Sequence, residues 1–169
     1  TRGLPESAAT LKSIFIGNVD FSASALVKLL GMGVTIDAIV TKKDSHFNSD
    51  FYDLSKIAKK QKIPYKYVSN INNTEIVSWI KNIKPDIIYC FGFSQILEQE
   101  ILNIPSLGVI GFHPAELPKN RGRHPIIWAL VLGLPSTAST FFFMDSNADS
   151  GDIISQRPIS IFENDNAQI

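Results

Sequence analysis

The sequence of 169 residues is poor in cysteine, in long apolar runs and in charge of one sign. Each of these features would indicate a particular class of protein. It has one cysteine, Cys90, which excludes an internal disulfide framework and a cysteine-cluster metal site. No apolar run approaches the roughly 18 residues of a membrane span. Charge of one sign is not in excess either, since 16 basic residues balance 16 acidic ones. We therefore expect a cytoplasmic protein without membrane contact, and nucleic acid is not expected as a partner.

What the sequence does have is enough apolar material for a packed core, with 44% hydrophobic residues. Short apolar segments alternate with helical patterns along the chain. The predicted strands are 11–17, 34–40, 65–68, 87–91 and 107–112, and the predicted helices are 20–30, 51–61 and 73–83. This alternation is typical of a parallel sheet with crossover helices. A motif G-x-G-x-x-G after the first strand is missing, which disfavours a nicotinamide-binding domain.

A different pattern follows the fifth strand. The sequence predicts a long polar loop over 113–124, a helix over 125–132, and strands over 138–144 and 152–161 around a tight acidic turn. The fold class is thus α/β, a Rossmann-like open, mostly parallel sheet with flanking helices and a C-terminal β-hairpin. Ligands of such sheets lie beyond the carboxyl ends of the strands.

The two ends of the chain carry no strand pattern. Residues 1–9 lack periodicity and are expected to be a leader or a cloning remnant. Residues 10–169 are expected to form one catalytic domain. Because the last residues resemble the start of a helix, we expect this domain to be truncated at its C-terminus.

Three features could carry chemistry. His113 directly follows a predicted strand, where it could act as a general base or simply end a loop. Asp149 lies in the acidic turn, where aspartate is also common for backbone reasons. The carboxylates of this turn lack the spacing of a calcium-binding loop, so no metal is expected. Arginines 121 and 123 suit an anionic ligand, although a solvated surface loop is the alternative.

Taken in order, these pieces resemble the catalytic domain of the folate-dependent formyltransferases, which act on methionyl-tRNA, glycinamide ribonucleotide or nucleotide sugars. The resemblance runs from Ser13 to about Asp165. Each matching piece is short, and their order is what makes the series specific. The pieces are Phe15-Ile-Gly-Asn-Val-Asp-Phe, Pro85-Asp86, Phe91-Gly92-Phe93, His113-Pro114, Leu117-Pro118, Gly122, Pro125, Ala138-Ser-Thr140, Met144-Asp145 and Ala148-Asp-Ser-Gly-Asp152.

The resemblance implies an N-formyltransferase with 10-formyltetrahydrofolate as co-substrate and no metal. His113 would be the catalytic histidine and Asp149 the catalytic aspartate. The pterin would be held by two segments, read mostly through backbone groups. The implied cofactor-binding residues are Phe91, Gly92, Phe93, Ile96, Leu97, Asp145, Asn147 and Ala148.

The sequence departs from the family pattern beside the histidine. Gly111 stands where the family has an asparagine that steadies the developing oxyanion, and Ala115 where a serine often follows. Losing one such donor typically costs about 10²–10³-fold in rate. Asn18 or Asn120 could substitute, a protonated His113 could do more, or the protein could be a weak enzyme.

The acceptor amine is inferred by elimination. The segment after the first strand has one glycine rather than a phosphate loop, and 42–50 is not notably basic. A nucleotide-linked amino sugar, a small-molecule amine, is therefore the expected acceptor, held by Lys119, Arg121, Gly122 and Arg123. A homodimer through the missing C-terminal part is expected. Three alternatives stay open: a methionyl-tRNA formyltransferase, a formyltetrahydrofolate hydrolase, and a catalytically silent folate- or nucleotide-binding module.

Overall fold

The computed structural model describes residues 11–45, 49–113, 136–144 and 153–160. The chain comprises two compact units, Thr1–Val109 and Ile110–Ile169. The first unit contains strands β1 (Ser13–Ile16), β2 (Ala38–Thr41), β3 (Tyr65–Tyr67) and β4 (Ile87–Cys90). Its helices are α1 (Asp20–Gly31), α2 (Ser55–Gln61), α3 (Thr74–Ile83) and α4 (Gln99–Leu102). Strand β5 (Gly108–His113) starts at the boundary, and the second unit adds β6 (Ser136–Phe143) and β7 (Ile153–Ser160).

The strands of the first unit form a parallel sheet in the order β3-β2-β1-β4. The central strand β1 is apolar at consecutive positions because both faces of a parallel sheet are covered. Ile14, Phe15 and Ile16 are each fully buried. Burying side chains of this size stabilises a fold by about 1.5–3 kcal/mol each. This sheet and its crossover helices confirm the predicted Rossmann-like architecture.

The order of the strands creates a reversal at β1. From β1 the chain passes through α1 to β2 and then through α2 to β3, always towards one side of the sheet. Helix α3 then returns the chain to β4, on the other side of β1. The connections that leave β1 and β4 thus diverge, which makes the carboxyl ends of these two strands a topological switch point.

Among the described helices, only α3 has an N-cap residue whose side chain accepts a hydrogen bond from the helix backbone. Asn73 precedes α3 and its side chain accepts a hydrogen bond from the N–H of Glu75 at 2.9 Å, as predicted for a cap. The residue types predict Asp20 or Ser22 as the cap of α1, and this prediction is wrong. Val19 occupies the cap position, and the Ser22 hydroxyl accepts from the Val19 N–H at 3.2 Å.

Two predicted elements are shorter in the structure because their first residues form other hydrogen bonds or bridges. The predicted strand 34–40 begins only at Ala38, since the N–H of Val34 bonds to the carbonyl of Leu29 and so closes α1. The predicted helix 51–61 begins at Ser55, because Phe51 forms an antiparallel bridge with Val19. The short helix α4 was not predicted.

The second unit is an antiparallel ladder in which β6 pairs with both β5 and β7. This arrangement confirms the C-terminal hairpin. The predicted helix 125–132 lies outside the described residues. None of the helices in the described part of the chain combines the length and apolarity that a bilayer crossing requires.

Candidate functional site

In the first unit, residues 91–97 follow β4 at the switch point. They contain the predicted cofactor-binding residues of this unit and are called the cofactor segment below. Its first residues pack directly against the turn between β1 and α1. The N–H of Asn18 donates to the carbonyl of Gly92 at 3.1 Å, and the hydroxyl of Ser22 donates to the carbonyl of Phe91. Strand pairing of β1 with β4 brings these residues together although about seventy positions separate them in the sequence.

Two glycines allow this close approach. Gly92 has φ +69°, a left-handed conformation that side chains disfavour, and a Cβ there would lie 2.3 Å from Cγ2 of Val19. A Cβ on Gly17 would lie 2.4 Å from the carbonyl oxygen of Phe91 and 2.5 Å from Oγ of Ser22. A larger residue at either position would therefore have to displace its neighbours.

The far end of the cofactor segment is tied to the loop before α3. The side-chain oxygen of Gln95 accepts from the N–H of Ile71 at 2.8 Å. The side chain of Asn72 donates to the carbonyl of Ile96 and accepts from the N–H of Glu98, both at 2.9 Å. The segment is therefore held at both ends by hydrogen bonds to neighbouring loops.

The five residues of this segment that are predicted to bind the cofactor differ in their solvent exposure. Phe91 and Leu97 are buried and serve the core, and the ring of Phe91 meets that of Phe15 edge-on at 5.6 Å. Phe93 is half-buried, and the ammonium of Lys42 lies 5.7 Å from its ring centroid. Ile96 is 65% exposed. Of these side chains, those of Phe93 and Ile96 are therefore the accessible ones.

Asn18, which sequence reasoning raised only as a substitute donor, has an unusual environment. Its side chain is fully buried, and neither the amide nitrogen nor the amide oxygen has a hydrogen-bond partner. A buried amide without partners is costly, and such groups are rare in native proteins. The sequence marks Asn18 as part of the motif after the first strand, but it does not show that the amide is buried without a partner.

The position of Cys90 within a predicted strand indicates a small buried hydrophobe, and the structure confirms this. It is 7% exposed, and burial raises the pKa of its thiol to about 12. Because the thiolate is the reactive form, this cysteine is not a nucleophile at neutral pH. The apolar stripe of α3 predicts that Trp79 lies in the core, but Trp79 is half-buried, and the ammonium of Lys66 lies 5.9 Å from its ring centroid.

In the second unit, His113 is the last residue of β5 and pairs in register with Thr140. Gly111, two residues earlier, pairs with Phe142 on β6. A Cβ on Gly111 would lie 2.8 Å from Cζ of Phe142 and 3.0 Å from Cγ of Met144. The space that a side chain at position 111 would enter is therefore taken by apolar atoms.

The other predicted site residues lie outside the described residues. They are Asp149, Lys119, Arg121, Gly122, Arg123, Asp145, Asn147 and Ala148. Within residues 11–45, 49–113, 136–144 and 153–160, no group of three histidine, cysteine, aspartate or glutamate side chains could hold a metal ion.

The neutral charge of the whole chain conceals one basic surface. Five lysines and no acidic residue fall within 55–66, on α2 and β3. Four of these lysines are exposed, and the ammonium of one, Lys59, lies 5.9 Å from the ring centroid of Tyr65. The five lysines are 56, 59, 60, 62 and 66.

Comparisons with known proteins agree on the type of domain. The family described as formyl transferase matches residues 11–168. The bifunctional polymyxin resistance protein ArnA of Wigglesworthia glossinidia brevipalpis is 37% identical over 147 residues, covering 86% of this chain and 22% of that protein. The methionyl-tRNA formyltransferase of Geobacter metallireducens is 35% identical over 164 residues, covering 95% of this chain and 53% of that enzyme.

Among solved structures, the phosphoribosylglycinamide formyltransferase of Bacillus halodurans superposes with a TM-score of 0.78 at 20% identity. The match covers 92% of this chain and 82% of that one. At this identity the likeness shows the fold alone. The chain spans about half the length of the methionyl-tRNA enzyme and less than a quarter of the polymyxin resistance protein.

Proposed function

The chain belongs to the formyl transferase family, and from that premise we propose that it transfers a formyl group from 10-formyltetrahydrofolate to a primary amine. The observation that carries this proposal is the family match over residues 11–168. The segment after β4 supports it, because it is held at both ends and leaves Phe93 and Ile96 accessible. We assign the pterin to this segment and to Asp145, Asn147 and Ala148 of the turn in the hairpin.

The chemistry requires one proton to move. The acceptor nitrogen attacks the formyl carbon, a new C–N bond forms, and the bond from that carbon to N10 of the folate breaks. The amine must lose a proton, and N10 must gain one as tetrahydrofolate leaves. We assign His113, at the carboxyl end of β5, to accept or relay that proton. Asp149 would orient the imidazole and favour its charged form.

The oxyanion of the tetrahedral intermediate needs a donor, and position 111 cannot supply one. Gly111 has no side chain, and Phe142 and Met144 take the space that a side chain there would need. The donor is therefore another group, such as Asn120 or a protonated His113. One missing donor lowers turnover by about 10²–10³-fold where nothing replaces it.

For the acceptor we propose a nucleotide-linked amino sugar, with Lys119, Arg121, Gly122 and Arg123 holding its phosphates or sugar. The single glycine in the segment after β1 supports this choice over an acceptor held in a glycine-rich phosphate loop. Arginine is well suited to bind a pyrophosphate bidentately.

A methionyl-tRNA acceptor is the second candidate. The expectation that nucleic acid is not a partner conflicts with the similarity to methionyl-tRNA formyltransferases. The whole-chain charge on which that expectation rested also conceals the five lysines of 55–66. Exposed lysines next to aromatic rings suit the phosphates and bases of RNA.

The test is a transfer assay in which nucleotide-linked amino sugars and methionyl-tRNA are offered in parallel with 10-formyltetrahydrofolate. We expect formylated amino sugar as the product. We expect His113→Asn to lower the rate by about 10²–10⁴-fold, while tetrahydrofolate binding, measured by calorimetry, is retained.

Each contrary outcome identifies a different alternative. Formylation of the tRNA alone would select the second candidate. Formate released without any acceptor would show a hydrolase, and folate binding without turnover would show a silent module. An unchanged rate in His113→Asn would reject the assigned proton acceptor.

A further inference from the structure

The side chain of Asn18 is the strongest feature of the described residues that the proposed function leaves unused. Its backbone is held on both sides: the N–H donates to the carbonyl of Gly92 at 3.1 Å, and the carbonyl accepts from the N–H of Tyr52 at 2.8 Å. The carboxamide is fully buried and bonds to nothing. The chain thus fixes this residue firmly while its donor and acceptor stay unpaired.

The position of Asn18 is a second, independent observation. It follows β1 and touches the first residues after β4, and these two strands flank the switch point of the parallel sheet. In open α/β sheets the crevice at this point is where ligands bind. The costly amide therefore coincides with the place where the topology alone predicts a ligand.

The unpaired groups define what that ligand must present. A carboxamide offers donors on Nδ2 and an acceptor on Oδ1. An oxyanion or a phosphate would use only Nδ2 and leave Oδ1 buried without a partner. A group with an N–H beside a C=O, such as an amide or the lactam edge of a ring, pairs with both.

We propose that Asn18 binds the amide or lactam edge of a substrate at the switch point. This rests on the proposed function, whose two substrates both offer such an edge: the pterin ring of the folate, and the base of a nucleotide or tRNA acceptor. Because Asn18 is fully buried, the ligand reaches it only after a neighbouring residue moves.

The first measurement is the urea midpoint of unfolding for Asn18→Leu, which keeps the shape of the side chain but removes its polar atoms. We expect a higher midpoint than in the unsubstituted chain, because an unpaired buried amide is removed. The matched control is Thr41→Val. Thr41 is also fully buried, but its hydroxyl accepts from the N–H of Leu54 at 3.2 Å, so this change should lower the midpoint.

The second measurement is binding, by calorimetry, of tetrahydrofolate and of the four ribonucleoside diphosphates in separate titrations. We expect Asn18→Leu to raise Kd for one class of probe about 3- to 10-fold, the loss typical of a hydrogen bond. Thr41→Val should leave both within twofold. A change confined to tetrahydrofolate identifies the pterin edge, and one confined to a nucleotide identifies the base.

Several results would overturn the proposal. Unchanged Kd values in Asn18→Leu would reject the role of Asn18 and leave the proposed function intact, whereas no binding of either probe to the unsubstituted chain would reject both. A midpoint that falls as far as in Thr41→Val would mean that the amide has a structural partner. A lower kcat with unchanged Kd would indicate an oxyanion donor instead. If Asn18→Leu does not fold, Asn18→Ala is measured by the same titrations.

Discussion

The polar groups at the two edges of the parallel sheet in the first unit differ in whether they have hydrogen-bond partners. At the amino edge, two carboxylates that precede strands accept hydrogen bonds from backbone N–H groups at the start of β1. Asp86 accepts from the N–H of Lys12 at 3.0 Å and from the hydroxyl of Ser106 at 3.1 Å, and Asp37 accepts from the N–H of Ser13 at 2.9 Å. At the carboxyl edge, Gly17 and Gly92 let the turns after β1 and β4 approach each other closely. The side-chain amide of Asn18 has no hydrogen-bond partner there.

This contrast distinguishes a stabilising edge from the edge to which the ligand site is proposed to belong. A groove of about 620 Å³ lies at the amino edge, lined by residues that include Lys81, Asp86 and Glu100. Three of its charged side chains already have partners, since Lys81 pairs with Glu100 at 2.8 Å and Asp86 accepts from Lys12 and Ser106. The unpaired amide of Asn18 and the left-handed Gly92 lie at the opposite edge.

The largest effect is expected from Gly92→Ala at the carboxyl edge. Alanine would have to adopt the left-handed conformation of Gly92, and its Cβ would lie 2.3 Å from Cγ2 of Val19. We expect the free energy of unfolding to fall by about 3 kcal/mol and tetrahydrofolate binding to weaken, as measured by urea denaturation and calorimetry.

Gly31→Ala is the control for that change. Gly31 lies at the end of α1, and a Cβ there would meet nothing within 4 Å. The same substitution should be neutral or stabilise by about 0.5–1 kcal/mol. Equal losses in the two variants would contradict the assignment of tight packing to the Gly92 turn.

An intermediate effect is expected from Asp86→Ala at the amino edge. Two hydrogen bonds would be lost, one from the N–H of Lys12 just before β1 and one from the hydroxyl of Ser106. We expect the free energy of unfolding to fall by about 1–2 kcal/mol, with Kd for tetrahydrofolate unchanged. If binding weakens as much as stability falls, the separation between a stabilising and a binding edge is wrong.

The smallest effect is a pH dependence that comes from Cys90, beneath the carboxyl edge. Burial raises the pKa of this thiol from 9.0 to about 12. The folded chain therefore holds the proton more tightly than the unfolded chain. The resulting stability is complete below pH 9.0 and is lost as the pH rises towards 12.

Cys90→Ala should flatten the decline of unfolding free energy between pH 9 and pH 11, whatever its effect at neutral pH. Burial also raises the pKa of Tyr89, so part of the decline remains in the variant. An identical slope in both proteins would show that the thiol is not protected by burial. Urea denaturation at a series of pH values makes the measurement.

Much of the fold was predictable because its signals are local. The run Ile14, Phe15 and Ile16 predicts a buried strand wherever it is placed, and Asn73 before an apolar helical stripe predicts a helix start. The misplaced starts of β2 and α2 have different causes. Val34 closes α1 through a local hydrogen bond to Leu29, whereas the bridge of Phe51 depends on Val19, a distant partner that local periodicity does not reveal.

The candidate site was predictable only as a set of segments. The sequence placed Phe91–Leu97 after a strand and His113 at the end of another, and the structure confirms both positions. It could not show that Phe91 and Leu97 turn inward whereas Ile96 is exposed. It also could not show that Phe142 blocks position 111, because cross-strand contacts depend on register.

By itself, the sequence determined the alternation of strands and helices, the ordered motifs of the family, and the charge balance that conceals a basic segment. Only the tertiary structure decided that Asn18 lies buried beside Gly92 and without a partner. The physical reason is the distance along the chain: parallel pairing of β1 with β4 joins residues about seventy positions apart. Whether an amide is paired depends on those distant neighbours, not on the residues that flank it.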